Sequence, residues 1–343
     1  MTSSGMVATW SARERSELFE QTAAGRNLTA VLVEKDYWVC WALDVLFSGA
    51  LQDALVFKGG TSLSKVYGAI HRFSEDIDLC VSRSHLGVGA DVDPYSATSN
   101  RHRREQVNVI LSACNRWIAS DLVPHFAADA AAILGPDGFS AKIDEHDLGT
   151  VIFGYPRSLA AGRYGAGNYL APSVKLELGA RGEGVPASSC TIQSICAQAF
   201  PEVVGEHAVR VVALSAERTF WEKVLFAHAE YHRPNERRPP EHSSRHYYDL
   251  AMLARNGTAS RALAEPRLCA DVVRNTSTFF ERSWGRYETA APGTFRIVPS
   301  QERTAALRND YSAMKEMFFS PEPTFDELII ELEELEHLVN DVG

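Results

Sequence analysis

Hydrophobic and polar positions along the chain predict a mixed α/β region followed by a helical region. Residues 11–24 and 29–48 show helical spacing, and the second segment is apolar on several faces, which predicts a buried helix. Short apolar or alternating runs predict strands at residues 54–57, 76–81, 151–155, 173–178 and 209–214. From Ser215 onward the pattern is almost wholly helical. We therefore expect an α/β lobe over residues 1–214 and a helical lobe over residues 215–343.

Between these strands, polar segments mark connections. Residues 84–105 form a long polar insertion, a helix is predicted over 105–120, and residues 233–245 are typical of a loop. A helix is predicted over 324–340, where Thr324 and Glu327 have the spacing of a capping box. Its apolar residues form a stripe at helical spacing: Leu328, Leu332, Leu335 and Val339.

Composition narrows the class of protein. The chain has 343 residues, of which 45% are hydrophobic and 23% charged, which excludes a mostly disordered protein. A net charge of −10 argues against general coating of polyanions but permits a local basic groove. We find no apolar run of membrane-spanning length and no secretion signal. Six cysteines without a CxxC motif predict buried thiols and a cytoplasmic protein.

The densest chemical signal is the string FKGGTSLSKVYGAIHRFSEDIDL, residues 57–79. A strand is predicted to end at Gly59-Gly60, and hydroxyl residues and a helix, LSKVYGAIH, follow; such a turn lets backbone N–H groups approach phosphate. Asp76 and Asp78 then point to the same side of a predicted strand, roughly 7 Å apart. Two carboxylates at that separation repel by about 2.4 kcal/mol at an effective dielectric near 20. The sequence therefore favours a divalent cation, Mg²⁺, over aspartates that merely contact water.

Further segments accompany this string. They are residues 34–38 (EKDYW), 72–79 (RFSEDIDL), 175–178 (KLEL), 217–223 (ERTFWEK) and 245–250 (RHYYDL), with Tyr311, Met314, Met317 and Phe318. Together they resemble the nucleotidyltransferase AbiEii/AbiGii toxin family, a branch of the DNA polymerase β-like superfamily. The resemblance implies an α+β fold, in which a polymerase β-like lobe with a mixed sheet and N-terminal helices is joined by a helical C-terminal lobe that completes the cleft.

The resemblance also implies roles for the residues of the string. Asp76 and Asp78 would bind Mg²⁺, and the turn residues would hold the β- and γ-phosphates of an NTP. The nucleotide-binding turn comprises Gly59, Gly60, Thr61 and Ser62. Since Thr61 and Ser62 both carry a hydroxyl, either is open as the phosphate contact. Lys65, on the following helix, reaches phosphate or is a surface lysine.

Later residues complete the expected site. Glu177 binds metal or accepts a proton, the alternative being a cross-strand ion pair, and Lys175 contacts phosphate or balances charge. By resemblance, Lys223 and Asp249 are further catalytic candidates. Lys223 would bind the triphosphate, and Asp249 would lie opposite in the cleft, near the nucleotide or Lys223. Arg218 is a further nucleotide-binding candidate, and its spacing also predicts an intrahelical pair with Glu222.

For several other residues, a structural role or a solvated position is weighed against a functional role. His246, beside two tyrosines, is more typical of a structural histidine. Trp221, Tyr247 and Tyr248 are more typical of core than of base stacking. Two basic clusters bind nucleic-acid phosphates or are solvated loop charge. They comprise Arg101, His102, Arg103 and Arg104, and Arg233, Arg237, Arg238 and Arg245.

The resulting functional hypothesis is a Mg²⁺-dependent, pyrophosphate-releasing nucleotidyltransferase. It moves an NMP from an NTP to an acceptor, which we expect to be RNA and specifically a tRNA 3′ end. By resemblance it is the toxin of a toxin–antitoxin or phage-defence pair whose antitoxin is a separate protein, with no membrane involved. Two alternatives stay open at this point: transfer to a small molecule or protein hydroxyl, and a catalytically silent NTP-binding module.

Overall fold

A computed structural model describes residues 7–164, 171–205, 208–319 and 321–341. Seven strands lie in the first two thirds of the chain: β1 (Leu55–Lys58), β2 (Ile77–Val81), β3 (Ser140–Ile143), β4 (Thr150–Gly154), β5 (Ser173–Gly179), β6 (Ala187–Ile192) and β7 (Val209–Leu214). The helices among them are α1 (Ala12–Arg26), α2 (Ala30–Ser48), α3 (Gly59–Lys65), α4 (Asn100–Trp117), α5 (Val123–Leu134), α6 (Ile195–Ala199) and α7 (Pro201–Val204). A π-helical turn, Ile118–Leu122, joins α4 to α5.

The remaining described elements are helices, with short 3₁₀ turns between some of them. They are α8 (Ala216–Tyr231), α9 (Ser244–Arg255), α10 (Thr258–Leu263), α11 (Pro266–Phe279), α12 (Gln301–Ala313) and α13 (Phe325–Asn340). Thr324 caps α13, and the predicted capping box with Glu327 is present. The predicted apolar stripe of α13 is buried, which confirms that this face packs on the core.

The seven strands form one mixed sheet in the order β3-β4-β5-β2-β1-β7-β6. Strand β2 pairs antiparallel with β1 and parallel with β5, and β7 runs parallel to β1. Strands β3 and β6 extend the two edges by antiparallel pairing with β4 and β7. This architecture confirms the predicted α+β fold with a mixed sheet, and it places β1, β2 and β5 side by side near the middle.

Helix α2 is buried on every side, as its apolar pattern predicts. Every residue from Ala30 to Phe47 is buried. The Trp38 ring stacks on Tyr155 at 5.5 Å and the Trp41 ring stacks on Phe153 at 5.4 Å, so the helix is fixed against β4. The helix packs against β7 as well and therefore backs the centre of the sheet.

Two hydrophobic clusters divide the described residues near residue 214. One cluster combines the sheet with α2 and the helices around it, and the other joins the helices of the last third. Some residues pack in the cluster of the other region. Leu63, Ala69 and Ile70 belong to the helical cluster, and Phe279 belongs to the sheet cluster. The two-domain assignment, 1–214 and 215–343, therefore stays a prediction.

Several predicted boundaries are wrong in informative ways. Helix α3 begins at Gly59 and ends at Lys65, earlier than the LSKVYGAIH segment, and Asp76 precedes β2 instead of lying within it. Helix α4 begins at Asn100 because Ser99 caps it, so the first basic cluster is helical. Helix α5 was not predicted. Strands β3 and β6 were not predicted either, because they are largely exposed and have weak apolar patterns.

The cysteines are all free thiols, of which five are buried and Cys190 is half-buried. The expectation of buried thiols therefore holds except at Cys190. Among the described residues, no helix combines the length and apolar character that a membrane crossing requires.

Candidate active site

Three charged side chains lie in one row across the middle of the sheet. Lys58 of β1 is in register with Asp78 of β2, and Asp78 is in register with Glu177 of β5. Residues directly opposite each other on neighbouring strands project to the same face, about 4.8 Å apart from strand to strand. The pairing of β2 with β5 therefore brings Glu177, almost a hundred positions further along the chain, beside the Asp76/Asp78 pair.

This row forms one wall of a cleft that we call the interlobe cleft. Its sheet-side wall is formed by Lys58, Gly59, Gly60, Asp76, Asp78 and Glu177. Its opposite wall comes from the helical region: Thr219, Glu222, Lys223, Phe226, Arg245, His246, Phe280, Arg282 and Tyr287. Apart from the Lys58–Glu222 pair, the charged residues named on the sheet-side wall are acids and those named on the opposite wall are cations. This polarity suits a metal-bound polyphosphate.

The carboxylates of Asp76 and Asp78 line the cleft without a basic side chain of the described residues in contact with them. Burial and the charge of Asp76 raise the pKa of Asp78, and Lys58 opposes this shift. The Glu177 side chain faces the cleft. Desolvation by the cleft walls and the negative charges of Asp78 and Asp76 raise the pKa of Glu177 to about 7. The group of carboxylates on the sheet-side wall therefore lacks enough positive charge nearby to neutralise it.

A divalent cation fits this pair of carboxylates. Nucleotidyltransferases generally use such a metal, and Mg²⁺ commonly takes one or two carboxylates and completes its shell with substrate phosphate and water. Among the described residues, no three His, Cys, Asp or Glu side chains are grouped closely enough to hold a metal by themselves. The donor set of Asp76 and Asp78 thus fits a metal that arrives with phosphate oxygens.

Two glycines are required where the turn meets the acids. Gly59 has a φ of 76°, and a Cβ at this position would lie 1.9 Å from the Asp78 carboxylate oxygen Oδ2. A Cβ on Gly60 would lie 2.8 Å from the hydroxyl oxygen of Ser74. The glycines therefore let the backbone of the turn and the acidic segment approach each other, and both line the cleft.

The hydroxyls that follow the glycines are placed differently from the expectation. Thr61 and Ser62 are buried, and the Thr61 hydroxyl donates hydrogen bonds to the carbonyls of Asp76 and Ser74. Lys65 pairs with Asp36 and donates to the carbonyl of Gln193. None of the three side chains lines the interlobe cleft, because Thr61 and Ser62 are buried and Lys65 lines a separate depression beside Asp36. We therefore do not retain them as phosphate contacts.

Asp249 is the centre of a buried ionic cluster behind the cleft. The Arg72 guanidinium donates two hydrogen bonds to the Asp249 carboxylate, from Nε to Oδ1 at 2.8 Å and from Nη2 to Oδ2 at 2.7 Å. Lys223 Nζ lies 2.8 Å from Asp249 Oδ2. Asp249 has no exposed surface, whereas Arg72 and Lys223 both line the cleft. Asp249 thus lies next to Lys223, one of the two expected placements, but it is buried behind the cleft surface.

The Asp249 cluster predicts a loss of stability in acid. Burial by itself raises the pKa of Asp249, but the charges of Arg72 and Lys223 outweigh it and hold the pKa well below its usual range. Because the folded-state pKa is depressed, the stabilisation is complete above the unfolded pKa, near 3.8, and is lost as pH falls through the folded value. In urea titrations from pH 7 to pH 3, we expect the stability difference between wild type and Asp249→Asn to stay constant above about pH 5 and then to shrink. A difference that grows on acidification would contradict this arrangement.

Two other predicted nucleotide contacts lie outside the cleft. Lys175 is exposed on β5 and points to the same side as Glu177, two residues away. Arg218 is almost fully buried, where Nη1 donates to the Val185 carbonyl at 2.7 Å and Nε lies 3.5 Å from Glu222. The predicted Arg218–Glu222 pair is therefore confirmed, and Arg218 does not line the interlobe cleft.

Sequence reasoning missed several cleft residues that come from separate segments. Lys58 belongs to the glycine motif, but the sequence analysis assigned it no role. Its Nζ lies 3.3 Å from the Glu222 carboxylate. Arg245 was assigned only to a basic cluster, and it makes no ion pair with the described residues. Phe280 and Arg282 had no motif at all. His246 lines the cleft beside Lys223, and burial lowers its pKa well below the usual value, so it is neutral.

Half of the residues in the two basic clusters are paired with acids. Arg101 pairs with Glu105, and Arg103 and Arg104 both pair with Glu281. In the second cluster, Arg233 pairs with Glu230, and of its four arginines Arg245 is the one that lines the cleft. The preferred core placement of Trp221, Tyr247 and Tyr248 is confirmed, since all three are buried.

Comparisons with known proteins identify the family of the chain. A search of curated protein sequences gives no significant match. Among solved structures, the chain is similar to MenT4, nucleotidyltransferase toxin Rv2826c from Mycobacterium tuberculosis H37Rv, with 16% identity, a TM-score of 0.44, and coverage of 94% of this chain and 98% of that chain. The family described as "Nucleotidyl transferase AbiEii toxin, Type IV TA system" matches residues 41–331. The chain therefore belongs to the AbiEii nucleotidyltransferase toxin family of type IV toxin–antitoxin systems.

Proposed function

We propose that this chain is a Mg²⁺-dependent enzyme that transfers an NMP from an NTP to the 3′ end of an RNA, with tRNA as the acceptor. The observation that carries the proposal is the polarity of the interlobe cleft. Asp76 and Asp78 lie on one wall and form no ion pair with the described residues, and Lys223 and Arg245 lie on the other wall. That arrangement suits a metal-bound triphosphate between the two walls.

The cations of the helical wall bind the triphosphate. Lys223 contributes a point charge that Asp249 holds in place, and the Arg245 guanidinium has no competing carboxylate among the described residues. Bound Mg²⁺, held by Asp76 and Asp78, would neutralise phosphate charge and orient the attacking hydroxyl. His246, being neutral, adds no charge but lies against Phe226 and Lys223, and it closes this end of the cleft.

The reaction is an in-line displacement at the α-phosphorus. The acceptor's 3′-oxygen forms a new bond to phosphorus, and the bond between the α-phosphorus and its bridging oxygen to the β-phosphate breaks. Pyrophosphate leaves with that oxygen. Glu177, beside Asp78 in the sheet, accepts the hydroxyl proton. Because Glu177 faces the cleft and also a second opening, it lies where the two substrates meet.

That second opening supports a macromolecular acceptor. We call it the side groove; it shares Lys58, Asp78, Glu177 and Phe280 with the interlobe cleft and continues to Asn115, Thr150 and Arg181. A nucleotide held between the two lobes leaves this groove free for an acceptor to approach Glu177. RNA provides a 3′-hydroxyl at the end of a narrow strand, which suits such an opening.

Family membership implies an NTP substrate and an antitoxin partner. We propose that the antitoxin is a separately encoded protein, that the pair acts in phage defence, and that the toxin acts in the cytoplasm, where NTPs and RNA are present. Growth arrest would then follow from blocked RNA 3′ ends.

Arg245 provides a test of the nucleotide contact. Replacing Arg245 by glutamine removes one charge-assisted contact, worth about 1.5–3 kcal/mol, so the Kd for Mg-NTP is expected to rise about 10- to 150-fold. Isothermal titration measures this change. Arg210→Gln, at an exposed position on β7, is the matched control and should leave the Kd unchanged. Equal affinities for Arg245→Gln and wild type would remove Arg245 from the nucleotide site.

The acceptor is tested by supplying α-labelled NTPs one at a time with total RNA, total protein or a metabolite extract. We expect label in RNA and release of pyrophosphate, and sequencing of RNA 3′ ends should show added nucleotides. Label confined to protein or to a small molecule would overturn the RNA proposal. Tight Mg-NTP binding without any turnover would instead identify a silent binding module.

A further inference from the structure

Phe280 stands where three openings of the surface meet. It lines the interlobe cleft and the side groove, and it also lines a third depression that we call the outer groove. The outer groove includes Arg104, Asn108, Leu111, Arg181 and Arg282 beside Phe280. Leu111 and Arg181 are shared with the side groove, so a continuous path leads from the surface, past Phe280, to Glu177.

The Phe280 ring is half-buried and its backbone is fixed. The Phe280 N–H donates to the Thr276 carbonyl at 2.9 Å and ends α11, and the Tyr287 hydroxyl donates to the Phe280 carbonyl at 3.4 Å. The neighbouring Phe279 is buried in the sheet core. An aromatic ring held in this way at a junction of grooves provides a preorganised surface for a flat, unpaired base.

The outer groove carries more positive than negative charge. The Arg181 guanidinium lies 5.6 Å from the Phe280 ring centroid and makes no ion pair with the described residues. Arg282 also lines this groove, and its side chain is 31% exposed although it contacts Glu230. Glu281, the acid of the groove, is already paired with Arg104. This combination of cations and one half-exposed ring is typical of single-stranded nucleic-acid sites.

We propose that Phe280 is the stacking platform for the terminal base of a single-stranded RNA acceptor, and that Arg181 and Arg282 bind the phosphates just upstream of it. This assignment rests on the proposed function, because it places the acceptor's 3′-hydroxyl at Glu177. The strand would enter along the outer groove, turn at Phe280 and end in the side groove. The NTP would occupy the interlobe cleft on the other side of Glu177, so each substrate would have its own binding site.

The test measures RNA binding separately from nucleotide binding. The probe is a short unstructured RNA with a 5′ fluorophore and a free 3′-hydroxyl, and fluorescence anisotropy is recorded without NTP. Loss of one stacked base makes Phe280→Ala bind about 5- to 150-fold more weakly, whereas Phe280→Trp stays within about 3-fold of wild type. The Kd for Mg-NTP is measured in all three proteins by isothermal titration. Because Phe280 also lines the interlobe cleft, we expect this Kd to change by less than the RNA affinity does.

Arg181 is tested by salt dependence. Arg181→Gln is expected to reduce the slope of log K against log salt by about 0.7, the change for one phosphate contact on a single strand. Arg267→Gln is the control, because Arg267 is exposed at the other end of α11 and lines none of the three openings. An unchanged slope for Arg181→Gln would overturn its phosphate role.

The outcomes separate this inference from the proposed function. If wild type modifies RNA but Phe280→Ala binds and modifies it equally well, the platform is overturned and the proposed function stands. If Phe280→Ala and Phe280→Trp lose RNA binding equally, or if Mg-NTP binding falls as much as RNA binding in Phe280→Ala, the stacking assignment is also overturned. If wild type neither binds nor labels RNA while another acceptor is labelled, both fail.

Discussion

Removing both acids of the Asp76/Asp78 pair is expected to reduce nucleotidyl transfer by about ten-thousand-fold, which corresponds to about 5.5 kcal/mol of barrier. Asparagine keeps the shape of each side chain but removes the charge that holds the metal. Single-turnover transfer of labelled NMP by Asp76→Asn/Asp78→Asn measures the effect. Growth arrest on expression should disappear with it, and growth arrest that persists would show that toxicity has another source.

The same variant should be more stable than wild type in the absence of metal. Neighbouring carboxylates that lack a cationic partner repel each other, and burial raises the pKa of Asp78, so its ionised form destabilises the fold. We expect a higher Tm for Asp76→Asn/Asp78→Asn without ligand, and loss of the Tm increase that Mg-NTP gives to wild type. Asp271→Asn, exposed on α11, is the matched control and should change neither value. A lower Tm would indicate that the acids stabilise the fold instead.

The second large effect concerns the fold, at Asp249. Replacing Asp249 by alanine leaves Arg72 and Lys223 without the carboxylate that neutralises them, and Arg72 is only 2% exposed. Breaking a buried ionic contact in this way destabilises a protein by about 3–5 kcal/mol. Urea unfolding at pH 7, followed by far-ultraviolet circular dichroism and tryptophan fluorescence, measures the loss.

An exposed ion pair is the control for Asp249. Asp326 contacts Arg308 at 2.6 Å, but the Asp326 side chain is 75% exposed, so Asp326→Ala should leave the unfolding midpoint unchanged. If Asp249→Ala unfolds at the same urea concentration as wild type, the cluster does not stabilise the fold. A variant that keeps its stability but loses transfer would make Asp249 a catalytic residue instead of a positioning one.

Periodicity and spacing were sufficient for the elements with strong patterns. The strand that carries Asp78 and the strand that carries Glu177 both alternate buried and open positions, and each was predicted within one residue of its observed bounds. Helix α2 was predicted as buried because apolar residues surround it. The glycine turn was recognisable because two adjacent glycines before hydroxyl residues have few other uses.

Long-range contacts decide the parts that could not be predicted. Spacing within α8 and α9 gives no indication that Lys223 meets Asp249, or that Arg72 reaches the same carboxylate from 177 positions away. Thr61 was misjudged for a related reason: its hydroxyl bonds to the carbonyl of Asp76, an internal contact that the motif does not reveal. Phe280 lacks any local signal, because its position depends on where α11 ends against the sheet.

The Arg72–Asp249 contact also bears on how the cell tolerates this protein while it is being made. A ribosome that has synthesised the chain only as far as β7 has produced the acids of the sheet but none of α8 or α9. Such a nascent chain lacks Lys223 and Arg245, and the Arg72 guanidinium lacks the carboxylate of Asp249. Under the proposed mechanism, a fragment released before α8 is therefore harmless, and the enzyme becomes dangerous to its host only after α8 and α9 have been translated.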